Sequence, residues 1–350
     1  MDIALRQRRR AGLEFLGSVQ HFAGKTLQAA AGAAYRAAVP NPPLSTDERR
    51  ASVYEVLQGH SGWEFDRFFT RWVAEEIYVR ALPAIEEKRA SVEAWLDVKE
   101  PRGTLTLNPD MVPPAYWEGG FHLAPGGWDG HDLMGPAISE LVFAYVLTPG
   151  GVGAVRAGEN LNDQRSQVAG ETKRTDYRHV VELGASSGRF TFALKRRLPS
   201  SSITAVELSA SALKHGHALA SEKGYDIDFV HAPAEETGLE SGSADLVACY
   251  TLMHEVPVSE NLKIIAEMYR LLEPGGHLLI SEIAPYEHQD AFRSVVLDWE
   301  TENRGEPYWR EVMAHDWAAE LAKAGFVEIE SYGVGGGVYP WVTRATKPAN

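Results

Sequence analysis

From Tyr177 onward the chain alternates short apolar runs with amphipathic stretches. HVVEL, ITAVEL, Ile227 to Val230, ADLVACY and HLLISE have strand length, and helical periodicity fills 188–197, 209–222 and 259–272 between them. That rhythm predicts a parallel, doubly wound sheet. The end breaks it, because FVEIESYG and GVYPWVTRATK follow one another without a helix, as an antiparallel hairpin on the sheet edge would.

The first part reads as mainly helical. Ser45-Thr46-Asp47-Glu48 suits a helix N-terminus, and apolar positions such as Val53, Val56 and Leu57 continue the pattern toward Lys99. Trp63, Phe65, Phe68, Phe69 and Trp72 suit a core, an interface or the lining of an apolar cavity. Prolines and glycines from Pro101 to Gly135 predict a long aromatic loop, either a lid or a docking segment. Residues 136–147 resume a helix, and the polar run after it reads as a surface linker. The chain therefore divides into a helical region over 1–135 that shapes a substrate cavity or a dimer, a helix and linker over 136–176, and an α/β domain over 177–350.

The chemistry concentrates in VVELGASSGRF, Val180 to Phe190: a buried strand, a turn of small residues and a helix start, with Glu182 just before the turn. Gly184, Ala185, Ser186, Ser187 and Gly188 let a ligand approach the backbone. Glu207 ends the next apolar run, where a carboxylate is placed to bind ribose hydroxyls by charge-assisted hydrogen bonds. A nucleoside crevice follows. A dinucleotide fingerprint needs glycine at the third and sixth turn positions, occupied here by Ser186 and Arg189, and no lysine followed by serine or threonine closes the turn as in a phosphate-binding loop.

E-L-G-A-S-S-G resembles motif I of the class I S-adenosylmethionine-dependent methyltransferases, with Ser186 in place of the middle glycine. The resemblance covers roughly Tyr177 to Lys347, and it implies the Rossmann-like seven-stranded sheet with the terminal hairpin and S-adenosyl-L-methionine as cofactor. Glu182 would then face the methionine end, and Glu207 would grip both ribose hydroxyls. Gly184, Ser186, Gly188 and Tyr250 would line the same crevice. The usual adenine-reading aspartate is missing, since Ala232 and Pro233 stand at the glycine-aspartate pair, so the Ala234 amide and the Glu235 side chain are the substitutes.

At the end of ADLVACY the chain leaves the sheet and reaches His254 and Glu255. Small-molecule O-methyltransferases of the plant type carry a histidine and then an acid at this point, the histidine removing the acceptor's hydroxyl proton. A neutral phenol is a poor nucleophile until a base takes that proton. Glu282, at the end of HLLISE, stands where an acid supports such a histidine and fixes its tautomer. Other family members use a histidine here only to cap the following helix. In the insertion before the hairpin, Phe292, Trp299, Tyr308 and Trp309 would wall an apolar acceptor, with Arg293, Arg304 and Arg310 near for an acidic group. O-methylation of a hydroxylated aromatic with His254 as base leads; C-methylation of a quinone-like or enol acceptor, and cofactor binding without catalysis, stay open.

Charge and composition narrow the partners. A net charge of −14 lacks the basic face that nucleic acid requires. The single cysteine, Cys249, rules out a disulfide framework and fits a reducing, cytoplasmic setting. No apolar run is long enough for a membrane span. His122, His131, Asp129 and Asp132 share one loop but lack a known ligand spacing, so no metal is expected. The arginine-rich start (Arg6, Arg8, Arg9, Arg10), with Leu13, Leu16 and Val19 at helical spacing, reads either as a surface or targeting helix or as an ordinary helix packed on a neighbour.

Overall fold

A computed structural model describes residues 1, 3–118 and 121–349. Its centre is one sheet of eight strands: β1 (Leu105–Thr106), β2 (His179–Leu183), β3 (Ser202–Glu207), β4 (Asp228–His231), β5 (Ala244–Tyr250), β6 (Leu272–Glu282), β7 (Val327–Gly333) and β8 (Trp341–Thr346). Their order is β1-β4-β3-β2-β5-β6-β8-β7, and β8 alone runs antiparallel to its neighbours β6 and β7. The predicted rhythm and hairpin are present. Every residue of β5 is buried, as a central parallel strand covered on both faces requires. Alternation sends Val180 and Ala205 into one apolar layer and Val181 and Val206 into the other.

The sheet has one strand more than expected, and that strand comes from the helical region. Leu105 and Thr106 pair parallel with Phe229 and Val230, while the Asp228 carboxylate accepts the Thr104 amide at 3.0 Å and its hydroxyl at 2.7 Å. A Cβ on Gly103 would lie 2.0 Å from the Ile227 carbonyl oxygen, so only glycine allows this approach. A two-residue strand carries too little periodicity to be read beforehand.

The polar run expected to be a linker also folds. Asn160 caps a helix at Leu161–Gly170, accepting a hydrogen bond from the Asn162 amide. Its buried Val168 and Ala169 join the apolar layer of Phe190 and Leu194. Three apolar anchors in ten residues suffice because the neighbouring helix Arg189–Arg197 supplies the rest of the contact.

Over the carboxyl edge of the sheet sits a helical cap. Leu13 and Leu16 of Gln7–Phe22 pack with Val73 and Ile77 of Ser61–Glu86 and with Leu141 and Val142 of the wide, π-helical turns Ala137–Leu147. The arginine-rich start is thus an internally packed helix, with Arg9 paired to Glu87. Tyr35 and Trp63 pack on Phe292 of Ala291–Asn303, which joins the insertion to the cap. Phe292 is therefore core and not acceptor wall. Phe65 and Phe68 are exposed, away from the core occupied by Trp63. Among the described residues, no helix is long and apolar enough to cross a membrane.

Candidate active site

Between sheet edge and cap lies a cavity of about 300 Å³. Its sheet side is built by the β2 turn. Gly184 and Gly188 have φ of +70° and +76°, and Ser186 sits at +48°, so the middle position takes the left-handed conformation that glycine would take more cheaply. A Cβ on Gly184 would meet Leu252 Cδ1 at 2.7 Å, which keeps this wall flat against the chain leaving β5.

Two acids face this cradle. Glu207 accepts the Ser186 amide at 2.7 Å and the Ser209 amide at 2.8 Å, and each oxygen retains lone-pair capacity for a ligand hydroxyl. Burial nonetheless raises its pKa. Glu182 is 1% exposed and its Oε2 has no hydrogen-bond partner. Burial pushes its pKa up to about 8, so in the free protein it is largely protonated at neutral pH.

Ala232 and Ala234 line the same end, but Glu235 does not. Its carboxylate accepts the Tyr116 hydroxyl at 2.9 and 2.8 Å in a separate surface depression, so the side chain assigned to adenine is turned elsewhere. Tyr250 lines the cavity with its ring on Phe190 and its hydroxyl 2.9 Å from that of Tyr339. Arg165, hidden in the run read as a linker, reaches this wall with its guanidinium 5.1 Å from the Tyr250 ring. Spacing gives no hint of it, because its position depends on that helix docking.

At the other end stands His254. Thr251, at φ +53°, turns the chain sharply out of β5, and the Asn261 amide donates to the Met253 and Val256 carbonyls at 2.7 Å each, holding the single turn Met253–Glu255. His254 Nδ1 lies 2.7 Å from Glu282 Oε1, and the His254 amide donates to Glu282 Oε2 at 3.3 Å. The other ring nitrogen, Nε2, lies 3.6 Å from Glu255 Oε1. Burial opposes charge on this ring, but Glu282 and Glu255 outweigh it and raise its pKa well above the usual histidine value.

His122 completes the cluster from the loop over 101–135. Its Nε2 meets Glu255 Oε1 at 2.9 Å and its Nδ1 meets Glu306 Oε1 at 3.0 Å. Burial again opposes charge, yet the two carboxylates raise its pKa to about 10, and the imidazoliums hold Glu255 well below the carboxylate range. Ligand atoms of His122, Glu255 and Glu306 lie within 4.8 Å of one another, but both ring nitrogens already bond a carboxylate. The other loop residues disperse: Asp129 accepts the Ser209 hydroxyl at 2.7 Å, while His131 and Asp132 pair with Glu86 and Arg89.

Of the acceptor wall, Trp309 and Arg304 line the cavity, Trp309 against the His254 ring. Trp299 faces Arg67, Tyr308 donates its hydroxyl to the Tyr116 carbonyl, Arg310 pairs with Asp298, and Arg293 donates to Gly153 and Gln28. Those four groups are spent inside the protein.

Residues 180–276 match the methyltransferase domain family. That stretch is an S-adenosylmethionine-dependent methyltransferase domain. The chain is 30% identical over 174 residues to the highly reducing polyketide synthase lcsB of Purpureocillium lilacinum, covering 45% of this chain and 7% of that one. It is 26% identical over 183 residues to the malonyl-[acyl-carrier protein] O-methyltransferase of Brevibacillus brevis, covering 49% and 63%. The chain thus spans less than two thirds of either relative. Phosphoethanolamine N-methyltransferase 2 of Haemonchus contortus, solved with S-adenosyl-L-methionine, is 13% identical, with a TM-score of 0.46 over 69% of this chain and 61% of that one. The unpartnered Glu182 oxygen, the small-residue turn and Glu207 suit a cofactor bearing an amine and a ribose, so the methyltransferase cradle fits its donor.

Proposed function

We propose that the protein methylates the oxygen of a small, largely apolar acceptor, with His254 as general base. The carrying observation is the His254–Glu282 pair at 2.7 Å in the wall of the cavity that also holds Glu182 and Glu207. S-adenosylmethionine supplies an electrophilic methyl group. Glu207 would hold its ribose, Glu182 its amine, and the Ala234 backbone its base edge. His254 Nε2 takes the acceptor's hydroxyl proton while Glu282 holds the Nδ1–H and stabilises the imidazolium. The apolar lining, from Ile138, Val142 and Phe143 to Trp309, suits an aromatic or alkyl body. An O-methyltransferase among the relatives supports the choice of oxygen.

The raised pKa of His254 fixes the pH dependence. Because Glu282 and Glu255 hold the His254 pKa above the ordinary histidine value, turnover rises with pH beyond the ordinary histidine range. Calorimetric titration with S-adenosylmethionine and with S-adenosylhomocysteine, then a screen of hydroxylated aromatic acceptors with labelled methyl donor, tests the reading. Micromolar binding and label in an O-methyl product are expected. Absence of both binding events rejects it, and label on carbon moves it to an enol or ring acceptor.

A further inference from the structure

The acceptor end contains more hydrogen-bonding capacity than proton removal uses. Glu255, Glu300 and Glu306 all line it, and the Oε2 atom of each is buried without a partner. Glu300 and Glu306 are each 4% exposed, so water does not reach them from outside the cavity. A buried carboxylate oxygen without a donor loses its hydration and gains nothing in exchange. Three such atoms in one wall call for donors from a ligand.

Among the described residues, the neighbouring cations do not supply them. His122 has given both ring nitrogens to Glu255 Oε1 and Glu306 Oε1, and His254 Nδ1 belongs to Glu282. Arg304 Nε stands 3.9 Å from Glu300 Oε2, too far for a hydrogen bond, and its NH1 donates to Gln20 at 3.3 Å. Arg293 is turned to Gly153 and Gln28. The Trp309 indole Nε1–H is also buried and unpartnered, a donor that an oxygen of the ligand, and not its amine, would satisfy.

The chemistry of the surroundings selects the donor. Carboxylates repel an anionic group and form their shortest, strongest hydrogen bonds with a charged donor. An ammonium carries three N–H donors and no acceptor, which matches a wall of unpartnered acceptors. Tyr78, Trp117, Trp128 and Trp309 lie around it, and aromatic faces attract cations. We propose that the acceptor carries a protonated amine, separate from the oxygen that is methylated, received by Glu255, Glu300 and Glu306. This rests on reading the cavity as a methyl-acceptor site.

The test uses the full chain in EDTA, saturated with S-adenosylhomocysteine, and measures binding of phenols in matched sets: tyramine and its one-carbon-longer homologue, 4-ethylphenol and 4-propylphenol, and 3-(4-hydroxyphenyl)propionate. At least one amine binds ten times more tightly than its deaminated partner, and the acid binds most weakly. Glu300→Gln and Glu306→Gln, made singly, each reduce the amine's advantage severalfold while the affinity for S-adenosylhomocysteine and for the neutral phenol stays within twofold. No advantage for any amine overturns the proposal, as does an advantage that survives both substitutions or requires a divalent metal. Failure of S-adenosylhomocysteine to bind instead overturns the methyl-transfer reading beneath it.

Discussion

The two ends of the cavity are built in opposite ways. The cofactor end is nearly continuous in sequence: β2, its turn and the end of β3 place Glu182, Ser186 and Glu207 within 26 residues, and backbone amides satisfy Glu207. The acceptor end draws Tyr78, His122, Glu255, Glu300 and Trp309 from separate segments, and there, as at Glu182, carboxylate oxygens stay unpartnered. On the proposed reading, the cofactor common to every turnover would be held largely by main-chain geometry at the sheet edge, where the fold itself fixes position. Acceptor choice would then fall to side chains brought in by segments outside the sheet.

If the two ends are separable, substitutions should separate them. His254→Ala is expected to lower turnover by about 10²–10⁴-fold, the range for losing a general base, while S-adenosylhomocysteine affinity stays unchanged in calorimetry. Glu207→Ala should do the reverse. Loss of a charged hydrogen bond, about 1.5–3 kcal/mol, weakens the cofactor by one to two orders of magnitude, and saturating cofactor restores much of the turnover. Equal loss of both properties in both variants would show one coupled site in place of two.

The same contrast explains what could be read from sequence. Glu182, Gly184, Gly188 and Glu207 were legible because a strand, a turn and a strand end impose local spacing. His254 and Glu282 were legible as a pair because His254 follows shortly after the end of β5 and Glu282 ends β6, and these strands lie side by side. Glu235 failed because its direction depends on Tyr116, 119 residues away. His122, Glu300 and Glu306 were not assembled beforehand, since a loop and a helix end meet only through cap packing, for which single-chain periodicity has no signal. Arg165 was lost for a related reason: its helix is too short and too polar to show an apolar stripe.

A smaller effect probes the cofactor end through Glu182. Its folded pKa of about 8, against 4.5 when exposed, means that the free protein holds a proton there that the unfolded chain has released. The associated stability is fully present below pH 4.5 and is lost as the pH rises toward 8. Binding an amine favours the ionised carboxylate, so cofactor affinity should rise about fivefold between pH 7 and 8 and level off above, with proton release visible as a buffer-dependent heat. Glu182→Gln should abolish that slope. A slope that persists in Glu182→Gln would place the titrating group elsewhere, most directly at the acceptor end, and would weaken the separation.

The smallest expected effect tests whether the cofactor cradle is main chain or side chain. Ser186 holds a left-handed φ of +48°, which costs a non-glycine residue about 1–2 kcal/mol, and its contribution to Glu207 is its amide at 2.7 Å. Glycine keeps that amide and relieves the backbone, but it gives up about 0.5–1 kcal/mol through the entropy of the unfolded chain. Ser186→Gly should therefore change stability by no more than about 1.5 kcal/mol, toward stabilisation, in urea unfolding. Cofactor affinity should stay within about threefold. A larger loss of affinity would mean that the Ser186 hydroxyl itself touches the ligand, and the cofactor end would then share the side-chain logic of the acceptor end.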